Sequence, residues 1–559
     1  MTTGRSVTYT KTASSAGAAT YVPNQAATQP VWQPGETGIL LVDRAQLLAA
    51  LTHTRTPLHI VRDDRHGIVA ATGGSLGDDR TARGAALCGT LPALYPEWLG
   101  DRSFAETHGC RFPYVVGEMA RGIATSTMVV EAARAGLMGF FGSAGLDRAA
   151  IETGLQEIRA ALGDAPANWG ANLIHTPGDA GTEMATVALF LSHRVPSVSA
   201  SAFMALAPSI VRYAAHGLTR SSDGTILRRG HVFAKVSRPE VAAQFMNPPP
   251  VQMLRDLVAA GHLSAEEAEL AAAIPVAEDV TVEADSGGHT DNRPLTALLP
   301  TILQQRDEIV QAHGYARTIR VGAAGGLGTP GAVAAAFSLG AAYVLTGSVN
   351  QVAIESGLSA DGRAMLAAAG IADVMMAPAA DMFELGIQVQ VLKRGTMFAQ
   401  RGRRLWEIYR THDGLDAIPA DVRRSLEKDV FRESLDQVWA RTRTYFESKD
   451  AHEIARADRD PKHRMALVFR SYLFMGAQWA REGHTDRRGD YQIWCGPAMG
   501  AFNAWTKGSF LERPDERTVA QIARNLLEGA AVLTRAQQLR SCGVDVPAAA
   551  FTFVPRPLR

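Results

Sequence analysis

Net charge is the first thing this sequence lacks: Lys plus Arg and Asp plus Glu each number 56. With no overall basic field there is nothing to condense on nucleic acid or on an anionic membrane surface, so neither partner is expected. Long apolar runs are missing as well. The opening "MTTGRSVTYTKTASSAGAAT" has no apolar signal-peptide core and no run of about 18 apolar residues follows, so a cytoplasmic protein, neither secreted nor membrane-spanning, is expected. Cysteine is scarce. Cys88, Cys110, Cys495 and Cys542 lie far apart with no CxxC pair, which excludes a disulfide framework and a cysteine zinc site. HExxH, the Walker-type GxxxxGK loop and any acidic cluster of ligand spacing are absent too, so no metal is expected and nucleotide hydrolysis drops out.

Two local patterns suggest nucleophiles. Gly73-Gly74-Ser75-Leu76-Gly77 satisfies GxSxG, which would make Ser75 an acyl-transferring serine. That elbow requires an apolar helix right after the serine. The following "GDDRTARG" is charged and glycine-broken, which favours a surface turn. Cys495, in "DYQIWCGPAMG", reads either as a nucleophile or, more simply, as a small buried residue beside Trp494.

What is present is a βα alternation. After a small N-terminal domain (1–110), with a polar tail and a hairpin over "PLHIVRDDRHGIVAATGG", short apolar runs alternate with helical stretches. The runs are "PYVVGEMA", "LMGFFGS", "WGANLI", "SVSASA", "HVFAKV", "DVTVEA", "IRVGAA" and "AYVLTGS", and eight such strands close a barrel. The fold class expected is therefore α/β, a (β/α)8 TIM barrel over 111–350. A helical insertion at about 247–278 is expected to cover its mouth, and a mainly helical, aromatic-rich domain to fill 351–559. The aromatics of that last domain read as core or as a groove for a long acyl chain.

Three successive strand ends carry glycine: "SGGH", "AAGG" and "TGS". In "IRVGAAGGLGTPGAVAAAFSLG" the strand runs into Gly325 and Gly326, Thr329 offers an N-cap and Pro330 occupies the first helical position, which together make an anion site. Gly326, Gly328 and Gly331 also match GxGxxG, but no acidic residue follows about 20 positions later, so a Rossmann reading is weak. Gly347 and Ser348, one strand on, extend the anion site. A phosphate shared by strands seven and eight of a barrel fits FMN. Gly287 and Gly288 would bring backbone close to the same ligand and present His289 beside it, with Asp291 and Arg293 nearby to fix the ring.

These features resemble the PfaD-type trans-acting enoyl reductases of polyketide and polyunsaturated fatty acid synthases, relatives of nitronate monooxygenases and flavin-dependent enoyl-carrier-protein reductases. The resemblance is carried by "AKVSRPEVAAQFM", "VEADSGGHTDNRP", "GAAGGLGTP", "VQVLKRGTMFAQR", "DPKHRMALVFR" and "DYQIWCGPAMGAFNAW", and spans residue 110 to the end. It implies an FMN barrel that takes hydride from NADPH and reduces an enoyl thioester carried on an acyl carrier protein, with a homodimer left open. By motif position it implies flavin contacts at Gly117, Met119, Ala120, Asn172 and Lys235, and a phosphate held by Gly288, Gly325, Gly326, Gly347 and Ser348. His289 is the expected catalytic acid or base. Glu118 and Arg121 stand where related sequences often have Pro and Gly, and Lys235 also reads as an ordinary strand-end lysine. Two alternatives stay open: a nitronate monooxygenase-type flavin oxidase and a Ser75-dependent acyltransferase.

Overall fold

In a computed structural model, residues 30–77, 84–163, 167–176 and 179–558 are described; the polar tail and most of the charged stretch after Gly77 lie outside them. Two compact units divide the chain, one formed by residues up to Tyr95 together with Thr534–Thr552, the other by Pro96–Leu533 with the last residues. The expected boundary near 350 is not a unit boundary, because barrel and helical region share one body of contacts.

In the first unit the expected hairpin is Leu58–Asp63 against Gly67–Thr72, within a six-stranded antiparallel sheet. Ser75 sits exposed on an edge strand, Ser75–Gly77, paired with Val31–Gln33. That is extended backbone where a nucleophile elbow would need a sharp turn into a helix, so the GxSxG match is accidental.

All eight expected strands form in the second unit, and they close in chain order into a parallel barrel. They are Tyr114–Val116, Met138–Phe141, Trp169–Ile174, Ser197–Ser201, His231–Val236, Asp279–Glu283, Arg320–Ala324 and Val344–Thr346. Pairing of Val344 with Tyr114 completes the ring. Most of their residues are buried, as a strand sandwiched between barrel interior and helix layer must be. The interior alternates aromatic and glycine: a Cβ on Gly322 would lie 2.2 Å from the Tyr343 ring, and one on Gly170 2.5 Å from Phe140. From below, helix Arg102–His108 plugs the barrel with Phe104, whose ring stacks on Tyr343 at 4.6 Å.

The connecting helices start where their caps predict. Asp147 accepts from the Ala150 amide at 2.8 Å, and Thr329 from the Ala332 amide at 3.3 Å, with Pro330 opening the helix. Helix Leu295–His313 is not evident from the sequence because Pro300 lies inside it and interrupts the helical signal.

The insertion after residue 247 is helical, Val251–Ala259 and Ala265–Ala271, but it does not cover the mouth. It connects the end of one barrel helix to the start of the sixth strand, which fixes it at the opposite end, and Leu254, Leu257 and Leu270 bury there. The mouth is instead walled by the helical region. Helices Phe398–Thr411, Leu435–Lys449 and Pro461–Glu482 share a core that includes Trp439, Phe469 and Tyr472. That region is not purely helical. Val374–Pro378 and Gln388–Leu392 form an antiparallel sheet whose third strand is Gly288–His289.

Candidate active site

At the C-terminal end of the barrel lies a cavity of about 1120 Å³, beyond the 300–1,000 Å³ typical of a pocket for one small ligand. Its floor is built from strand ends. Lys235 Nζ, at the end of the fifth strand, lies 3.0 Å from Glu118 Oε1 and 3.3 Å from Glu283 Oε1. Burial works against the ammonium, yet the two carboxylates outweigh it and hold the Lys235 pKa above its ordinary value. Ser201 Oγ donates to Glu118 Oε1 at 2.7 Å and accepts from Asn172 Nδ2 at 2.9 Å. A chain of polar groups therefore crosses the floor from the third strand to the sixth. One oxygen of it, Glu118 Oε2, is buried with no hydrogen-bond partner.

The strand-end glycines form the next part of the wall. Gly326 has φ +74°, and a Cβ there would meet nothing within 4 Å; the same space is open beside Gly347. The amide N–H groups of both find no acceptor among the described residues. Unpaired backbone donors beside open space on a cavity wall suit an anion. Gly325, at φ +89°, packs instead against the backbone of Ala284 and Asp285. The Ser348 hydroxyl accepts from the Gly496 amide at 3.1 Å, which ties the eighth-strand loop to the segment around Cys495.

His289 reaches the cavity from the short strand it forms with Val389. Its Nε2 lies 3.3 Å from Asp381 Oδ1. Burial lowers the imidazole pKa, but Asp381 more than compensates and the net shift is upward, so the cation persists above the ordinary range. The carboxylate that the sequence suggests for this ring is thus the wrong one. Asp291 pairs with Arg238 at 2.9 Å and with Ser237 at 2.7 Å, leaving Asp381 to face the imidazole. No local signal points to Asp381, because the two residues meet only through the sheet that joins barrel loop to helical region.

Of the residues expected at the site, Met119, Ala120, Asn172, Lys235, Gly288, His289, Gly325, Gly326, Gly347 and Ser348 all line this one cavity. Gly117 does not. Its amide donates to the Thr346 carbonyl at 2.9 Å and a Cβ would lie 2.6 Å from Leu345, so it packs behind the wall. Gly287 does line the cavity, and its side-chain position is closed by protein, since a Cβ there would sit 2.8 Å from the Cys495 amide nitrogen. Cys495 itself is fully buried, and burial pushes its thiol up to about 12, which removes it as a nucleophile. Of the helical region's large side chains, Trp439 and Phe469 are core, while Tyr445, Phe446, Phe474 and Met475 line the cavity with Leu467. Among the described residues there is no group of side chains able to hold a metal ion, and no helix long and apolar enough to cross a membrane.

The chain is similar to known proteins. Residues 412–491 match the family described as acyl-carrier-protein S-malonyltransferase, inserted helical domain. One of the polyunsaturated fatty acid synthase subunits of Thraustochytrium sp. is 44% identical over 467 residues, which cover 82% of this chain and 31% of that protein. The polyketide biosynthesis protein PksE of Bacillus subtilis is 41% identical over 437 residues, 78% of this chain and 56% of PksE. This chain thus spans only part of the length of both relatives. Among solved structures, the enoyl reductase domain of MlnA from the macrolactin biosynthesis cluster of Bacillus amyloliquefaciens superposes with a TM-score of 0.75 at 37% identity, covering 80% of this chain and 99% of that domain.

Proposed function

Because the chain belongs to the PfaD-type enoyl reductase family, we propose that it is a trans-acting, FMN-dependent reductase that uses NADPH to saturate the α,β-double bond of an enoyl thioester held on an acyl carrier protein. The observation that carries this reading is the single cavity that joins the glycine-lined anion cradle, the His289–Asp381 pair and an apolar wall of Phe446, Leu467, Phe474 and Met475. A cofactor phosphate, a proton-handling group and an acyl chain each find a matching surface there.

The residues fit FMN. The free amides of Gly326 and Gly347 would hold its phosphate, and Met119, Ala120, Asn172 and Lys235 would lie along its ring. When bound, FMN supplies the hydride that is added to Cβ of the substrate. The protein must then stabilise negative charge at the thioester oxygen and place a proton at Cα. His289 is suited to this because Asp381 favours its protonated form and the ring lines the cavity. Asp381 is a positioning residue that sets the ring and its charge. Lys235 is held as a cation between two carboxylates and is therefore a poor proton donor, so its role on the cavity floor is electrostatic. The apolar wall excludes water and accommodates the acyl chain.

The test is a spectroscopic one. The purified protein should show flavin absorption, bleach rapidly when mixed anaerobically with NADPH, and regain colour on addition of an enoyl thioester loaded on a carrier protein. The free short thioester should react much less efficiently, since remote binding contacts lower the barrier at the reacting carbon. A colourless protein, or a reduced protein reoxidised by oxygen but not by enoyl substrate, overturns the proposal.

A further inference from the structure

Arg121 lies on the cavity wall in a conformation that few non-glycine residues adopt, at φ +60°. The surroundings hold it there. Its amide donates to the Ala144 carbonyl at 2.7 Å, and Gly145 leaves room for its stem, since a Cβ on that glycine would lie 3.2 Å from Arg121 Cγ. The guanidinium lies 3.7 Å from the centre of the Phe474 ring, and Nη1 donates to the Phe474 carbonyl at 3.0 Å. The rest of its fork of donors has no protein acceptor, and no carboxylate lies within 4.0 Å, among the described residues.

The neighbours make this cation more conspicuous. Arg481 Nη1 donates to the Arg121 carbonyl at 3.0 Å, bringing a second positive charge alongside, and Arg481 has its own carboxylate, Glu482, at 3.2 Å. The acid that does act on Arg121, Asp381, is in contact with His289. Burial and then Arg481 push the Arg121 pKa down to about 10, the direction expected of a guanidinium whose surroundings lack a counter-ion. A planar fork fixed on an aromatic face, facing a cavity and short of negative charge, matches the geometry of a phosphate.

We infer that Arg121 anchors a phosphate of a substrate at the mouth of the cavity. The group is the phosphodiester of a phosphopantetheine arm or a phosphate of a pyridine dinucleotide, the two phosphate-bearing ligands that the reductase reading brings to this site; the inference rests on that reading for their identity. The site is separate from the cofactor cradle at Gly326 and Gly347, being formed by the first barrel loop and helix Pro461–Glu482.

Paired ligands test it without relying on turnover. The protein as purified is titrated by ligand-observed NMR with 4′-phosphopantetheine and pantetheine, and separately with reduced nicotinamide mononucleotide and reduced nicotinamide riboside. The phosphorylated member of one pair should bind about 10-fold tighter or more, the scale of a charge-assisted fork contact, and that pair identifies the source. Arg121→Asn, which tolerates the left-handed backbone, should abolish the preference; Phe474→Leu, outside the strained turn, should weaken it. Equal binding within both pairs overturns the inference, as does a preference that survives in both variants. A preference lost in the variants of a protein without reductase activity would uphold the phosphate site while removing the reductase reading.

Discussion

Both ends of the barrel bury charge, but they treat it differently. At the N-terminal end, Asp279 and Arg320 open the sixth and seventh strands and meet in two hydrogen bonds of 2.7 and 2.8 Å, while His108 Nε2 stands 3.0 Å from the same carboxylate. All three are buried, and none faces the cavity. At the mouth, Lys235, Glu118, Glu283 and His289 are also paired, yet every one of them lines the cavity. A closed charge network specifies how strands and plug helix fit together; an open one is available to a ligand.

Removing Asp279 breaks the comparison most forcefully. Asp279→Ala strands Arg320 and His108 without their carboxylate and should cost about 3–5 kcal/mol, read from urea unfolding. Flavin retained by the molecules that stay folded should be unchanged. A variant as stable as the parent would mean that the closed network is not structural.

The complementary change at the mouth is His289→Ala. The protein should fold, keep its flavin and be reduced by NADPH at the normal rate, while reoxidation by enoyl substrate slows by about 100-fold or more. Stopped-flow measurement of both half-reactions decides it, and an unchanged reoxidation rate would leave His289 with a purely supporting role.

Gly326→Val sharpens the contrast between backbone that packs against protein and backbone that faces a ligand. A β-branched residue at φ +74° costs about 1–3 kcal/mol of strain and projects into the space beside the cradle. Flavin binding should weaken about 10-fold or more, measured by fluorescence titration of the apoprotein. Full retention would move the phosphate elsewhere.

The smallest effects are in pH, and the two ends should respond in opposite directions. At the N-terminal end, burial and then neighbouring His108 push the His231 pKa down to about 4 from an ordinary 6.5, so the stability contributed by its neutral form is lost as pH falls through that interval. Asp279 is held below its ordinary 3.8 and adds a further loss at more acid pH. At the mouth, the His289 pKa is raised, so its ion pair with Asp381 contributes fully below 6.5 and is lost as pH rises through the higher folded value. Enoyl reduction should fall along that alkaline limb, and His289→Ala should flatten it.

The barrel is legible in the sequence because its signals are local. Eight buried apolar runs, caps such as Thr329 and glycines at strand ends are read within a few residues, and together with the contacts that the family resemblance implies they lead to ten of the expected site residues in one cavity. What misleads is connection at a distance. The insertion after residue 247 reads as helical from its periodicity, but its end of the barrel follows from lying between a helix and the next strand. Gly117 looks like a ligand-facing glycine until Leu345 is seen to fill the space beside it.

The sequence by itself determined the strand and helix alternation, the glycine loops and the presence of a histidine at the sixth strand end, because backbone conformation and amphipathic period depend on near neighbours. Only the tertiary structure decided which carboxylate charges that histidine, that Lys235 lies between Glu118 and Glu283, and that Arg121 rests on Phe474 without an acid of its own. Those outcomes depend on burial and on ion pairs between groups that meet only after the chain has closed the barrel and laid its helices over the mouth.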